Sequence, residues 1–312
     1  MAPLFDRLKS YFTKPLYPAA SFLFSRTYIG GVHYAKKENR IASHFILPLP
    51  VGALEPSFDK KNVGNAAALE KALREGKGRL GLDGNAAALL IPETCLKVFV
   101  LTFDSLPSLP SERENILRWR LNKLVPLMPA DLRVSYDVLK SNGQVKVFAA
   151  AAKAEVIGEY ESLFERIGMT VRTVGVPIFN LANMIRLEPP GHAMIVNIEE
   201  EYISLLAVLD AEISLYRFKP FLEDAQRPMN LLQKMEQVVY EIENTVNFLE
   251  DREKKKVGAV WVRASASKPE TDILTGLKEK LPSLKFAEFS IPLPLRSTDR
   301  HVLSPLIGQV LP

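Results

Sequence analysis

Three adjacent glutamates, Glu199–Glu201, lie where the chain is expected to turn between two buried strands. Carboxylates at such a turn could bind a divalent cation, and the cation could in turn bind a phosphate chain. Without the cation they would repel phosphate, and one such contact at ~4 Å costs about 4 kcal/mol near a protein surface. No neighbouring histidine or aspartate completes a ligand set, so we predict a solvated turn and no metal site. Arg217, at the end of a third strand, could pair with the glutamates or cap the sheet edge.

The other residue types that could do chemistry do not form a familiar arrangement. The single cysteine, Cys95, lies at the edge of an apolar run, and we interpret it as a structural thiol. One cysteine also excludes an internal disulfide and fits a reducing cytosol. The phosphate-loop, dinucleotide and nucleophile-elbow motifs do not occur. The histidines are scattered singly, without the spacing of a zinc site; they are His33, His44, His192 and His301.

The composition is that of an ordinary globular protein. The 312 residues are 47% hydrophobic and 24% charged, and the net charge is +4. This charge is small for the length, and no basic stripe is interleaved with aromatic residues, so we predict no nucleic-acid partner. No apolar run approaches the ~18 residues that a membrane-spanning helix needs.

The N-terminal segment, residues 1–14, has the spacing of an amphipathic helix beside basic residues. Such a face could make peripheral contact with a membrane surface. A short helix packed on its own domain, or a frayed tail, explains the same pattern and is the interpretation that we prefer. The apolar positions are Leu4, Phe5, Leu8, Tyr11 and Phe12.

Hydrophobic alternation predicts a first unit rich in strands. Its elements are a strand pair or one bent strand at 22–35, a return strand at 41–47, a helix at 65–75 that Gly76 and Gly78 stop, and a buried strand at 86–91.

A second unit follows, with the strand and helix order of a ferredoxin-like domain. Ser111 and Glu114 have the spacing of a capping box at a helix start, and Asn142-Gly143 is typical of a tight hairpin turn. The predicted elements are a strand at 96–103, a helix at 111–125, hairpin strands at 134–139 and 144–152, a helix at 155–167 and a strand at 169–174.

The remainder begins with another three-stranded pattern and ends in a short apolar segment. The predicted elements are a helix at 177–186, three strands between 193 and 217, a long helix at 231–250, a buried strand at 257–262, a helix at 268–281, an edge-like strand at 285–289 and the apolar end at 303–311.

Two segments of this pattern resemble the PilM family of type IV pilus assembly proteins. They read "LPSERENILRWRLNKLVPLMPADLRVSYDVL" and "VFAAAAKAEVIGEYESLFERIGMTVRTVGVPIFNLANM". The resemblance implies an α/β fold of the actin-like ATPase superfamily, which is a duplicated ribonuclease H-like fold. It also implies an inserted subdomain 1C of the ferredoxin-like or SHS2 type. Only residues 219–230 stand where the family has its helical subdomain IIB, so we expect IIB to be reduced.

The resemblance also implies a division of the chain. Residues 1–21 would be an N-terminal amphipathic segment. Residues 22–94 and 175–190 would form the first actin-like lobe, 95–174 the inserted 1C subdomain, and 191–312 the second lobe with the reduced IIB.

The positions that would bind nucleotide in this family depart from its pattern. Side chains replace the glycines whose backbone N–H groups approach phosphate closely. We therefore predict a degenerate nucleotide cleft, no catalysis and no cofactor, with binding of ATP and Mg²⁺ as the alternative. The cleft positions are Ser25, Thr27, Asn197, Glu199, Ala264 and Ser265.

The partner-binding half of the family pattern is retained. In the family, subdomain 1C helps to form a groove for the short cytoplasmic tail of PilN, an inner-membrane protein. Trp119 and its arginine neighbours are residue types enriched at binding hot spots, although Trp119 could equally cover its own sheet. The predicted partner-binding residues are Val98, Val100, Arg118, Trp119, Leu121, Asn122 and Val125.

The function that follows from the resemblance is a non-catalytic scaffold in a pilus assembly complex. It would lie in the bacterial cytoplasm, peripheral to the inner membrane, and bind a PilN-like tail and other pilus assembly proteins. The alternatives are a divergent actin-like ATPase and the cytoplasmic domain of a GspL-like type II secretion protein.

Overall fold

The computed structural model describes residues 17–82, 84–124, 131–141, 144–185, 187, 191–222, 229–265, 270–289 and 297–310. The predicted N-terminal helix at 1–14, the Asn142-Gly143 turn and half of the predicted reduced IIB segment lie outside these ranges. No helix in the described ranges is long and apolar enough to cross a membrane.

The first sheet has five strands in the order β3-β2-β1-β4-β8. β1 to β3 form an antiparallel meander, and β4 and β8 join it in parallel. Of the two interpretations of residues 22–35, the strand pair is therefore confirmed and the single bent strand is wrong. The strands are β1 (Ala20–Phe24), β2 (Tyr28–Ala35), β3 (Arg40–Pro48), β4 (Ala86–Leu90) and β8 (Thr170–Gly175).

The second sheet repeats this plan in the order β11-β10-β9-β12-β13. Three antiparallel strands are again followed by two parallel ones. The repeat confirms the prediction of two similar strand-rich units. The strands are β9 (Ala193–Ile198), β10 (Tyr202–Leu209), β11 (Glu212–Pro220), β12 (Ala259–Ala264) and β13 (Phe286–Glu288).

A smaller sheet of three strands has the order β5-β7-β6. Its strands are β5 (Lys97–Phe103), β6 (Leu132–Ser141) and β7 (Gln144–Lys153). The predicted ferredoxin-like arrangement is wrong, because β8 pairs with β4 of the first sheet instead of closing this one. A ferredoxin-like order along the chain does not determine which edge the last strand joins.

Seven α-helices in the described ranges cover these sheets. Pro110 begins the second of them, and Arg113 N–H bonds to the Leu109 carbonyl. Ser111 therefore lies inside the helix, and the predicted capping box at Ser111 is wrong. Proline fits the first helical turn because its missing N–H has no partner there. The helices are α1 (Ala66–Leu80), α2 (Pro110–Leu124), α3 (Ala154–Arg166), α4 (Pro177–Ala182), α5 (Leu231–Phe248), α6 (Glu270–Lys280) and α7 (Ser297–Val310).

Both faces of the first sheet are covered, which explains why β1 is buried throughout. Phe22 and Phe24 pack against Phe164 of α3 on one face. Leu23 points to the other face, where it packs with Leu303 of α7. The sequence predicted only a short apolar end in this region, so the helix α7 is a correction.

Helix α1 continues past the two glycines that were expected to stop it. It ends at Gly81, whose φ of 58° is the left-handed conformation that favours glycine. Gly76 is instead a packing position, because a Cβ there would overlap the ring of Phe45. Gly31, on β2, approaches the same ring equally closely.

The two glycines of α1 give a matched test of this packing. We expect Gly76→Ala to destabilise the protein by about 1–3 kcal/mol, because the added methyl forces Phe45 from its site. Gly78→Ala should stabilise the protein by about 0.5–1 kcal/mol, because alanine favours the helix. Gly78 is exposed, and a Cβ added there would have no neighbouring atom within 4 Å. Urea denaturation measures both, and equal effects at the two positions would contradict the packing role.

Candidate functional site

Arg263 lies at the centre of a buried polar network between the two five-stranded sheets. It is on β12, opposite Asn197 of β9 in the parallel register, and its side chain is completely buried. A guanidinium carries five N–H donors, and each of them can be matched to an acceptor. The acceptors are Tyr28 Oη, Asn197 Oδ1, Glu199 Oε1 and the carbonyls of His301 and Val302.

Glu199 is the counter-ion of Arg263. Its Oε1 accepts from Arg263, and its Oε2 accepts from Ser265 Oγ. The carboxylate is 5% exposed, so the prediction of a solvated glutamate run is wrong at its first position. Glu200 is exposed and Glu201 is half-buried. Burial, and then the neighbouring carboxylates, raise the pKa of Glu201 to about 7.

Asn197 joins this ion pair to a second buried carboxylate. Its Oδ1 accepts from Arg263 across 2.6 Å, and its Nδ2 donates to Glu93 Oε1 across 3.0 Å. The amide can do both because it carries a donor and an acceptor group. The network therefore runs without a break from Arg263 to Glu93, which follows β4 of the first sheet.

Glu93 is 1% exposed and lies between the first and second sheets. The Ile178 N–H at the start of α4 donates to its Oε1, and Tyr216 Oη donates to its Oε2, across 3.2 and 2.9 Å. Burial raises the pKa of Glu93 to about 7, although the hydrogen bonds from Tyr216 and the Ile178 backbone partly oppose the shift. Glu93 thus titrates close to neutral pH.

Burial lowers the pKa of Arg263, but the Glu199 carboxylate and the hydrogen bonds more than offset this effect, so the pKa lies above its usual value. The guanidinium therefore stays charged. Burial and the Glu199 charge raise the pKa of Tyr28, which keeps this phenol neutral. The centre of the network is a fixed cation and anion with neutral groups around them.

The structure brings together most of the predicted cleft positions. Asn197, Glu199 and Ser265 join the Arg263 network directly, and Ala264 is buried at the end of β12. Ser25 is buried in the β1–β2 turn, with its N–H bonded to the Tyr28 carbonyl. The Glu199 N–H bonds to the Tyr202 carbonyl in the same way, in the β9–β10 turn.

Two other residues considered near the cleft, Thr27 and Arg217, do not join the Arg263 network. Thr27 is exposed. Arg217 pairs with Glu241 of α5 at 3.4 Å, so of its two alternatives the pairing with the glutamate run is wrong. Arg263 was not among the predicted cleft residues, and its only signal in the sequence is a single arginine between apolar residues and a run of small ones. No group of three or more candidate metal ligands occurs within the described ranges.

A separate groove lies between the three-stranded sheet and the first sheet. β6 supplies one rim and β8 the other, and the described parts of the chain place no further strand beside either of these edges. The cavity has a volume of about 280 Å³ and a mainly apolar floor. Arg133 on the rim is fixed by two hydrogen bonds, of 2.5 and 2.8 Å, to Glu161. The floor includes Ile91, Leu96, Phe148, Ile157, Val176 and Phe179.

The predicted partner-binding residues that the structure describes lie outside this groove. Leu121 is fully buried between α2 and its sheet, so the prediction that it contacts a partner is wrong. Trp119 is 57% exposed, with Lys123 Nζ 3.7 Å from the centre of its ring.

The other predicted partner residues vary in exposure. Val98 and Val100 are half-buried against the core of the first sheet. Arg118 donates to the Leu132 carbonyl, and Asn122 is exposed. Val125 lies outside the described residues.

No protein-family model matches the chain, and no curated protein matches it in sequence. Solved structures do match. The PilM–PilN type IV pilus biogenesis complex is 13% identical, with a TM-score of 0.73 over 94% of this chain and 98% of that chain.

Two further structures match over most of their length. A protein of unknown function with an actin-like ATPase fold, from Bacteroides thetaiotaomicron, is 14% identical, with a TM-score of 0.52 over 86% of this chain and 90% of that chain. The cytoplasmic domain of EpsL, an inner-membrane component of the type II secretion system of Vibrio cholerae, is 11% identical, with a TM-score of 0.49 over 86% and 95%. The first two likenesses show that this chain has the actin-like α/β fold.

The raised pKa of Glu93 makes stability depend on pH in a defined direction. The folded protein holds this proton more tightly than the unfolded chain, so the stabilisation is complete below pH 4.5 and is lost as pH rises through about 7. Glu93→Gln removes the titration and keeps the hydrogen bonds, since the new Nε2 can donate to Tyr216. We expect the wild type to lose up to about 1.4 kcal/mol per pH unit relative to this variant.

Urea denaturation between pH 4 and 8 measures this difference. Glu165→Gln is the control, because Glu165 is exposed on α3 and its substitution should leave the pH profile unchanged. A constant free-energy difference between wild type and Glu93→Gln across this range would contradict the raised pKa.

Proposed function

We propose that the protein is a non-catalytic cytoplasmic scaffold that binds the N-terminal tail of a PilN-like inner-membrane protein in the groove between β6 and β8. The observation that carries the proposal is this apolar groove between two strand edges. The likeness to the PilM–PilN complex over nearly the whole of both chains supports it. On this proposal the protein works at the inner membrane beside other pilus assembly proteins.

The groove has the features that recognition of an extended peptide needs. An open strand edge offers backbone N–H and C=O groups to an added strand, and pockets beside it select side chains. β6 and β8 supply the edges, and the apolar floor supplies the pocket. The Arg133–Glu161 pair and Asp137 place charges at the rim, where they could fix the direction of the peptide.

The cleft between the two sheets supports the non-catalytic half of the proposal. A nucleotide would have to bind its phosphates beside the Glu199 carboxylate, which already has a cation of its own in Arg263. Separating that pair would leave a buried charge without a partner, at a cost of several kcal/mol. Nucleotide binding would therefore begin with a large unfavourable term.

A groove variant tests peptide binding. Val174 lies on the β8 rim and is 37% exposed, so Val174→Trp should fill the groove without burying a charge. We expect this variant to weaken binding of a synthetic PilN-type N-terminal peptide by at least about tenfold, the equivalent of 1.4 kcal/mol. Isothermal titration calorimetry measures the affinity.

Two controls separate the groove from other surfaces. Arg172→Trp places the same ring on an exposed position of the same strand outside the groove, and it should leave the affinity unchanged. Trp119→Ala tests the other predicted surface, and a large loss of affinity there would move the site to α2. Absence of binding to the wild type at high micromolar peptide would count against the proposed function.

The divergent ATPase is the alternative, and a thermal-shift experiment decides it. We expect saturating Mg-ATP to leave the melting temperature unchanged, because the Arg263–Glu199 pair occupies the cleft. A ligand at about 100 times its Kd would stabilise the folded protein by about 2.7 kcal/mol, which such a measurement detects easily. A magnesium-dependent rise with ATP, absent with magnesium alone, would support the ATPase instead.

A further inference from the structure

Helix α7 has a backbone carbonyl that lacks the backbone N–H donor usual in a helix. Pro305 lies inside α7 and has no N–H, so the carbonyl four residues earlier, that of His301, lacks its usual donor. Arg263 Nε donates to this carbonyl across 2.8 Å, and Ser304 Oγ donates to it across 2.9 Å. The proline thus removes the helical donor of the His301 carbonyl, and Arg263 donates to this carbonyl instead.

The same guanidinium reaches the first sheet. Its Nη2 lies 3.4 Å from Tyr28 Oη on β2 and 3.3 Å from the Val302 carbonyl on α7. Its Nη1 donates to Asn197 and Glu199 of the second sheet. One side chain therefore contacts both sheets and the helix.

Helix α7 is itself part of the core of the first sheet. Leu303, Leu306 and Ile307 pack with Leu23 and other residues on the face of that sheet opposite α1 and α3. Gly308 lies so close to α4 that a Cβ would overlap the Asn180 carbonyl. The hydrogen bonds from Arg263 of the second sheet to α7 therefore also link the second sheet to the first.

We infer that Arg263 is a latch that holds the two sheets and α7 in one arrangement without a bound ligand. Any movement of one sheet away from the other would strip Arg263 of Tyr28 and the α7 carbonyls while it remained beside Glu199. Such a movement would break hydrogen bonds made by a charged donor, and these are stronger than hydrogen bonds between neutral groups. The latch does not depend on what the groove between β6 and β8 binds.

Two variants test the latch while protecting the fold. Arg263→Lys keeps a positive charge beside Glu199 but loses the planar fork that reaches Tyr28 and α7 together. The double variant Arg263→Met with Glu199→Gln removes both charges, so that no unpaired charge stays buried. Arg166→Met is the matched control, because it breaks an arginine–glutamate pair between α3 and α1, at 2.8 Å, within the first sheet's own helices.

The measurement is amide hydrogen exchange of α7 compared with that of β9 and β10. We expect both latch variants to accelerate exchange in α7 by at least about fivefold relative to β9 and β10, and the control to leave the ratio unchanged. A smaller relative acceleration in both variants overturns the latch. Equal acceleration in α7, β9 and β10 also overturns it, since it would mean that Arg263 only stabilises the second sheet.

If circular dichroism shows that neither variant folds, hydrogen exchange of the wild type tests the latch instead. Its native-state exchange is then followed in increasing, sub-denaturing urea. A shared opening free energy for α7 and β9 supports the latch. A separate opening of α7 at lower free energy overturns it.

Discussion

The buried charge of Arg263 constrains the whole region between the two five-stranded sheets. A guanidinium taken out of water is tolerated only when a counter-ion and other acceptors surround it. Glu199 supplies the counter-charge, and the carbonyls of α7 take the donors that Glu199 and Asn197 cannot reach. The turn after β9, the end of β12 and the interrupted helix α7 are therefore parts of one arrangement.

The cleft and the groove differ in how their polar groups are satisfied. In the cleft, the guanidinium donors and the carboxylates of Glu199 and Glu93 already have partners within the chain. In the groove, no further strand among the described residues pairs with the edges of β6 and β8, which lie beside an apolar floor. Open strand edges are sites where another chain can add. The actin-like fold is common to both regions, so the local chemistry, rather than the fold, distinguishes them.

The strand plan could be predicted from sequence because β1, β9 and β10 are buried on both faces and read as continuous apolar runs. The end of α1 could not, because the role of Gly76 depends on Phe45, which is distant in sequence. The pairing of β8 depends on which edge is free after folding. Local patterns do not carry either kind of information.

The role inferred for Arg263 could not be predicted from sequence for the same reason. Arg263 and Glu199 are distant in the chain, and each alone resembles an ordinary surface residue. Pro305 lies in the segment where only a short apolar end was predicted, and a proline usually interrupts a helix. Its effect is understood only when the acceptor it frees is seen beside Arg263. A residue that breaks a local rule is thus compensated by a contact from elsewhere in the fold.

The cleft network and the groove meet at one row of aromatic rings. Tyr216 donates to Glu93 in the network, and its ring centre lies 5.9 Å from that of Phe179 in the groove floor. Phe179 in turn packs edge to face against Phe148 at 5.1 Å. The hydrogen bond to Glu93 thus restrains the Tyr216 ring, which packs against the groove floor. On the proposed function, a preformed floor would lower the ordering cost of binding an extended segment, and the cleft network would support the groove without contacting that segment.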